Sequence, residues 1–69
     1  MRLSARNQLA GTVTEVDAGA VTTTVKVALR GGDVVTSSIT KEAAEDLGLA
    51  PGVAVTVVVK ASDVLLGVD

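Results

Sequence analysis

The alternation of apolar and polar residues along the chain predicts a fold built mainly from β-strands. Its clearest stretch is AVTTTVKVALR, residues 20–30, where one parity carries Val21, Thr23, Val25, Val27 and Leu29. The other parity carries threonine, lysine, alanine and arginine. A period of two over this length is typical of a half-buried strand, and Val and Thr both suit a pleated surface.

Further strands are predicted on the same grounds, at residues 11–19, 33–39, 53–61 and, as a short last strand, 64–68. The first of these ends in an Asp-Ala-Gly turn. Gly31 and Gly32 stand between two strand stretches and predict a hairpin, because glycine tolerates the positive φ of tight turns.

One segment breaks the alternation and predicts a helix. Thr40 is a good N-cap, Glu42 falls in the first turn, and Gly48 is placed to end the helix. Three apolar side chains can face inward: Ala43, Ala44 and Leu47. The order β-β-β-α-β-β predicts a single domain of residues 1–69, mainly β with one short helix. That order is typical of a five-stranded OB-like barrel with the helix between strands 3 and 4.

The composition indicates that a single copy has few means of stabilising itself. No Phe, Tyr, Trp, Cys or His occurs among the 69 residues, although 48% of them are apolar. A domain this small buries little surface, and no large ring, disulfide or thiolate metal site is present to compensate. We infer that valine-rich faces are buried between copies in a homo-oligomer. The alternative is a monomer held by a compact aliphatic core.

The charge and hydropathy of the chain limit the kinds of partner that we expect. A formal net charge of −2 argues against nucleic acid, because such binding depends largely on phosphate contacts by Lys and Arg. OB-type barrels that bind single strands also stack bases on aromatic side chains, which this chain lacks. No apolar run approaches the ~20 residues of a membrane span, and the first residues do not resemble a signal peptide. We expect a cytoplasmic protein with no nucleic-acid or membrane partner.

A catalytic function has little support. Without His or Cys, activating a hydroxyl nucleophile would need a lysine, and Lys60 with Ser62 is a possible pair. Alternate residues of a strand share a face by default, so this pairing is weak. No glycine-rich phosphate loop is present. The sequence therefore predicts a non-enzymatic protein with no cofactor and no bare metal cation.

Capture of a small anion is the chemistry for which the chain has suitable groups. Thr40 heads the helix, Lys60 ends a strand, and Ser4 and Arg6 lie in the first segment. Hydroxyl, backbone N–H, ammonium and guanidinium groups are the donors that a tetrahedral oxyanion needs. Each residue also has an ordinary explanation. Thr40 can be only an N-cap, Lys60 a solvated strand end, and Arg6 the partner of a carboxylate in a subunit contact.

The same segments, taken in order, resemble the molbindins, the small Mop proteins of the TOBE superfamily. The matching segments are SARNQLAG at 4–11, GAV at 19–21, the Gly-Gly turn, ITKEAAEDLGL at 39–49 and VVVKASDVLLGVD at 57–69. The resemblance covers essentially the whole chain, and SARNQ with the late KAS is its most specific part. It implies an OB-like barrel assembled as a hexamer, a trimer of dimers.

The resemblance also implies the ligand. Molybdate or tungstate would be bound at subunit interfaces, for storage or homeostasis in the bacterial cytoplasm. By position, one kind of site would use Ser4, Arg6, Thr40, Lys60, Ala61 (through its backbone N–H) and Ser62. In such a site the first segment of one copy would meet Thr40 and Lys60 of another.

A second kind of oxyanion site is expected on the backbone donors of Gly19, Ala20 and Val21. The chain departs from the family pattern at the helix start, where relatives often read Thr-x-x-Ser and this chain has Ala43 after Thr40. One hydroxyl is therefore missing. Two other functions stay open: a molybdate-sensing regulatory module acting on a protein partner, and a structural oligomer whose sites are vestigial.

Overall fold

The computed structural model describes all 69 residues of the chain. Its elements are four strands, one α-helix and one turn of 3₁₀-helix. In chain order they are β1 (Asn7–Ala18), β2 (Thr22–Leu29), β3 (Val34–Thr40), α1 (Lys41–Asp46), β4 (Ala54–Val59) and the 3₁₀ turn (Ala61–Asp63). The predicted class, mainly β with a helix between the third and fourth strands, is confirmed.

The strands form one antiparallel sheet in the order β3-β2-β1-β4, curled into a half-barrel. β1 lies inside the sheet, pairing with β4 along its first half and with β2 along its second half. The register with β2 shifts between Val13 and Glu15. Such a bulge bends the strand and increases its twist, which helps the sheet to curl.

The predicted fifth strand is absent from this chain, because the sheet has four strands and forms a half-barrel. Residues 64–68 form no strand, and Leu65 and Leu66 are 91% and 94% exposed. A strand persists only where its N–H and C=O groups find partners on a neighbour. No strand of this chain pairs with the segment, so the half-barrel stays open between β3 and β4.

The predicted hairpin is confirmed. The Leu29 N–H donates to the Asp33 carbonyl at 2.8 Å, and Gly32, at a φ of 95°, donates to the Leu29 carbonyl at 3.0 Å. β1, in contrast, begins four residues earlier than predicted, so Asn7 and Gln8 belong to the strand. Both residues pair with β4, but their polar side chains gave no strand pattern in the sequence.

Both ends of α1 are fixed by capping. The Thr40 hydroxyl accepts from the Ala43 N–H at 3.1 Å, as the sequence predicts. At the other end Gly48 has a φ of 63°, and the Leu49 N–H returns to the Ala44 carbonyl at 3.1 Å, which is a Schellman motif. Leu47 was expected to face inward, but it is 67% exposed because the helix ends there. Neither the length nor the apolar character of any helix suffices to cross a membrane.

The core lies on one face of the curled sheet and is small. Val13, Val25 and Val27 are its buried centre. Val55 and Val57 of β4 and Ile39 of β3 pack against them but are only partly covered. In total 5 of 69 residues are buried, so one copy leaves much of its apolar inner face accessible to solvent.

Replacing Gly11 by alanine should destabilise the fold by about 1–3 kcal/mol, the usual cost of overpacking. A Cβ at this position would lie 2.6 Å from Val27 Cγ1 and 2.9 Å from the Ala28 carbonyl oxygen. Urea unfolding followed by circular dichroism measures the loss. Gly31→Ala is the matched control, because nothing lies within 4 Å of a Cβ there and its φ is not positive. Equal stability of the two variants would contradict the close approach of β1 to Val27.

Candidate oxyanion-binding site

The strand register brings two of the predicted site segments to the same end of the sheet. Asn7, the first residue of β1, pairs with Val59, the last residue of β4. The Asn7 side-chain amide also donates to the Val59 carbonyl at 3.2 Å. The segment that precedes β1, with Ser4 and Arg6, therefore starts beside the segment that follows β4, with Lys60.

The Lys60-Ala61-Ser62 segment presents donors to solvent. Lys60 precedes the 3₁₀ turn, whose closing bond runs from the Asp63 N–H to the Lys60 carbonyl at 2.9 Å. The N–H groups of Ala61 and Ser62, at the start of the turn, make no backbone hydrogen bond. The ammonium group of Lys60 makes no hydrogen bond within the chain. All three residues are exposed.

The first segment supplies a hydroxyl and a guanidinium group at the same end. Ser4 and Arg6 are both exposed, and neither side chain makes a hydrogen bond within the chain. Between them, Ala5 is partly buried and its carbonyl accepts from the Gln8 side chain at 2.9 Å. This bond ties the segment to β1 while leaving Ser4 and Arg6 available to an anion.

Thr40 lies at the opposite end of the sheet. It pairs with Thr22, the first residue of β2, which lies next to the far end of β1. The 12 residues of β1 separate this end from Lys60, about 35 Å measured along the strand. The Thr40 oxygen already caps α1, and its O–H is still able to donate. One copy therefore does not bring Thr40 to the other predicted residues of its site.

The residues predicted for the second site lie beside Thr40. The Lys41 N–H, at the start of α1, donates to the Val21 carbonyl at 2.8 Å. Gly19 uses its own N–H to donate to the Thr22 carbonyl at 2.8 Å, which closes the β1–β2 turn. The Ala20 and Val21 N–H groups make no backbone hydrogen bond, so they are the donors that this turn offers.

Charged residues are also distributed unequally between the Lys60 end and the Thr40 end of the sheet. Three of the six Lys and Arg residues are at the Lys60 end: Arg2, Arg6 and Lys60. The Thr40 end carries one cation, Lys41, and the three acidic residues of α1, Glu42, Glu45 and Asp46, whereas the turn beside Lys60 carries one carboxylate, Asp63. A dianion is therefore attracted more strongly to the Lys60 end.

Two contributors to the Lys60 end were missed from the sequence. Arg2 adds a third cation there. The one sequence signal for this role was its position two residues before the SARNQ segment. The Asn7 side chain hydrogen-bonds β1 to β4. The sequence signal for this role was its position within the SARNQ segment. No group of three His, Cys, Asp or Glu side chains is arranged to hold a metal ion.

The chain matches a known domain family over most of its length. The model of the TOBE domain matches residues 3–66. Molybdenum-pterin-binding protein 3 of Clostridium pasteurianum is 47% identical over 66 residues, which span 96% of this chain and 97% of that protein.

Solved structures show the same fold. MopII from Clostridium pasteurianum has a TM-score of 0.92 at 40% identity, covering 97% of this chain and 100% of that one. ModG, a cytoplasmic molybdate-binding protein solved with molybdate bound, has a TM-score of 0.95 at 54% identity. All of this chain aligns with 49% of the ModG chain. Matched from residue 3 to residue 66 by the family model and almost end to end by these relatives, the chain belongs to the TOBE domain family and, within it, to the Mop proteins.

Proposed function

We propose that this chain, acting as one domain, binds molybdate or tungstate for intracellular storage or homeostasis in the cytoplasm, without catalysing a reaction. The observation that carries the proposal is the pairing of Asn7 with Val59, from which the segment with Ser4 and Arg6 and the segment with Lys60, Ala61 and Ser62 leave the same end of the sheet with their donors unused. Binding of molybdate by ModG, which shares the fold, supports this choice of anion.

The anion is held by charge and hydrogen bonds, with no covalent change. The ammonium of Lys60 and the guanidinium of Arg6 supply the charge, and the Ser4 and Ser62 hydroxyls donate to the oxygens. The Ala61 N–H adds a donor whose direction is fixed by the 3₁₀ turn. Five donors from two segments match the compact shell of a tetrahedral dianion better than any single residue does.

The site is completed between copies. Thr40 lies a strand length from Lys60 in one chain, so it joins the site of a second chain. The low burial of the single copy supports an oligomer, because 5 of 69 residues are buried and many apolar side chains are exposed. We take the hexamer, a trimer of dimers, as the expected assembly. The β1–β2 turn, with Ala20 and Val21, is the proposed place of the second kind of site.

Lys60→Ala should weaken molybdate binding at least tenfold while leaving the fold intact, because Lys60 supplies a full charge and is exposed. Isothermal titration of the variant and the natural sequence with molybdate, tungstate and sulfate measures the effect. Circular dichroism checks that the variant is folded.

Lys26→Ala is the matched control for this experiment. Lys26 lies in the middle of β2, where its ammonium donates to the Thr36 hydroxyl at 3.0 Å. The control removes the same charge from the chain but should leave affinity within about twofold, since exposed distant charges are screened by salt. Equal losses in the two variants would show that overall charge, and not the Lys60 end, holds the anion.

Molybdate should shift the association equilibrium of this protein toward the oligomer. A ligand that binds only the assembled state stabilises that state by mass action. Oligomer mass measured over a hundredfold range of protein concentration, with and without molybdate, tests the coupling. Full binding of molybdate to a species that is a monomer by mass would locate the whole site in a single copy.

A further inference from the structure

We propose that the pocket between α1 and the end of β1 receives a leucine of the 64–69 segment of a second copy of this chain. The pocket contains the one buried side-chain polar atom that has no hydrogen-bond partner, and the segment contains the most exposed leucines of the chain. The inference rests on the proposed assembly and names the parts that join.

The pocket has apolar walls and a polar base. It has a volume of about 130 Å³. Its apolar walls come from β1, α1 and the residues after the helix: Val16, Ala18, Ala44, Gly48 and Leu49. Lys41 and Glu45, both exposed, stand at its mouth.

Thr23 is the unusual member of the lining. It is 1% exposed, and its Oγ1 has no hydrogen-bond partner. A buried hydroxyl without a partner is unfavourable, and nearly all such groups in folded proteins are paired. The strand pattern places Thr23 among inward-facing valines, so a valine there would avoid the penalty. The hydroxyl therefore points to a group that enters the pocket from outside.

The 64–69 segment is the part of the chain that lacks a surface to pack on. Leu65 and Leu66 are 91% and 94% exposed, and Val68 is 100% exposed. Isolated exposed apolar residues are common, but three within four positions form a patch of the kind that marks an interaction site. A backbone carbonyl of such a segment is an acceptor that the Thr23 hydroxyl lacks.

The segment does not fill the pocket of its own chain. It leaves the sheet where Val59 pairs with Asn7, whereas the pocket lies at Val16 and Ala18, near the other end of β1. None of residues 64–69 lines the pocket, and Leu65 and Leu66 are 91% and 94% exposed. A second copy is therefore the source of a segment that enters the pocket.

A disulfide cross-link tests this contact. The natural chain has no cysteine, so only introduced thiols can react. In the double variant Ala18→Cys/Leu66→Cys, one thiol lies at the exposed edge of the pocket and the other in the segment. Mild oxidation should convert most of the protein into covalent dimers and larger species, seen by non-reducing electrophoresis. Peptide mass spectrometry should identify the 18–66 link.

The double variant Asp33→Cys/Leu66→Cys is the control. Asp33 is exposed at the β2–β3 hairpin, at the other end of β2 from Thr23. It should cross-link at least tenfold less. Equal trapping in both variants, or no 18–66 link in a protein that is oligomeric by mass, would overturn the inference while leaving molybdate titration to judge the proposed function. A monomer by mass would overturn the inference as well.

Thr23→Val distinguishes the segment from water as the occupant. In the full chain the substitution should lower the thermal midpoint by about 4–8 °C, because the hydroxyl loses a partner supplied by the second copy. In the full-length variant Leu65→Ser/Leu66→Ser, whose segment no longer fits the apolar pocket, it should raise the midpoint, because there it removes an unpaired buried group. The same sign in both backgrounds would contradict the proposal.

Discussion

The pairing of β1 with a neighbour on each side is the interaction on which the rest of this structure depends. The two pairings overlap only at Gly11 and Thr12, so β1 joins one half of the sheet to the other. At Gly11 the missing side chain lets Val27 pack directly against the strand, and the core forms around that approach. Because β1 is continuous, any groups brought to its two ends remain a strand length apart.

A core made of valine, with no aromatic ring, limits how much of the barrel one copy can close. The inner faces of β3 and β4 are only partly covered, and each strand has a free edge. A short chain could cover these faces with larger side chains or with a further strand of its own. This chain does neither, and its stability therefore has to be understood together with whatever covers the open side.

The elements that the sequence predicted correctly are those decided by local backbone preferences. The alternation of β2, the glycine turn after it and the Thr40 cap each depend on a few neighbouring residues. The last strand failed because VLLGV has suitable residues but no edge to pair with. Local patterns also did not predict which of the expected site residues one copy brings to the same end of the sheet, because that follows from the strand register. Asn7 opposite Val59 starts the segments of Arg6 and Lys60 at the same end of the sheet, and Thr22 opposite Thr40 places that hydroxyl at the other end.

The separation of Thr40 from Lys60 also restricts the symmetry of any assembly in which the two share a ligand. Each copy then gives one half of a site at one end and the other half at the opposite end. In two copies related by a two-fold axis, the Lys60 end of each copy meets the Thr40 end of the other. All four half-sites are then paired and the dimer is closed. Copies arranged head to tail always leave one unmatched half at each terminus, unless the series returns on itself as a ring. In every closed arrangement these composite sites equal the chains in number, so their saturation ratio is one anion per chain.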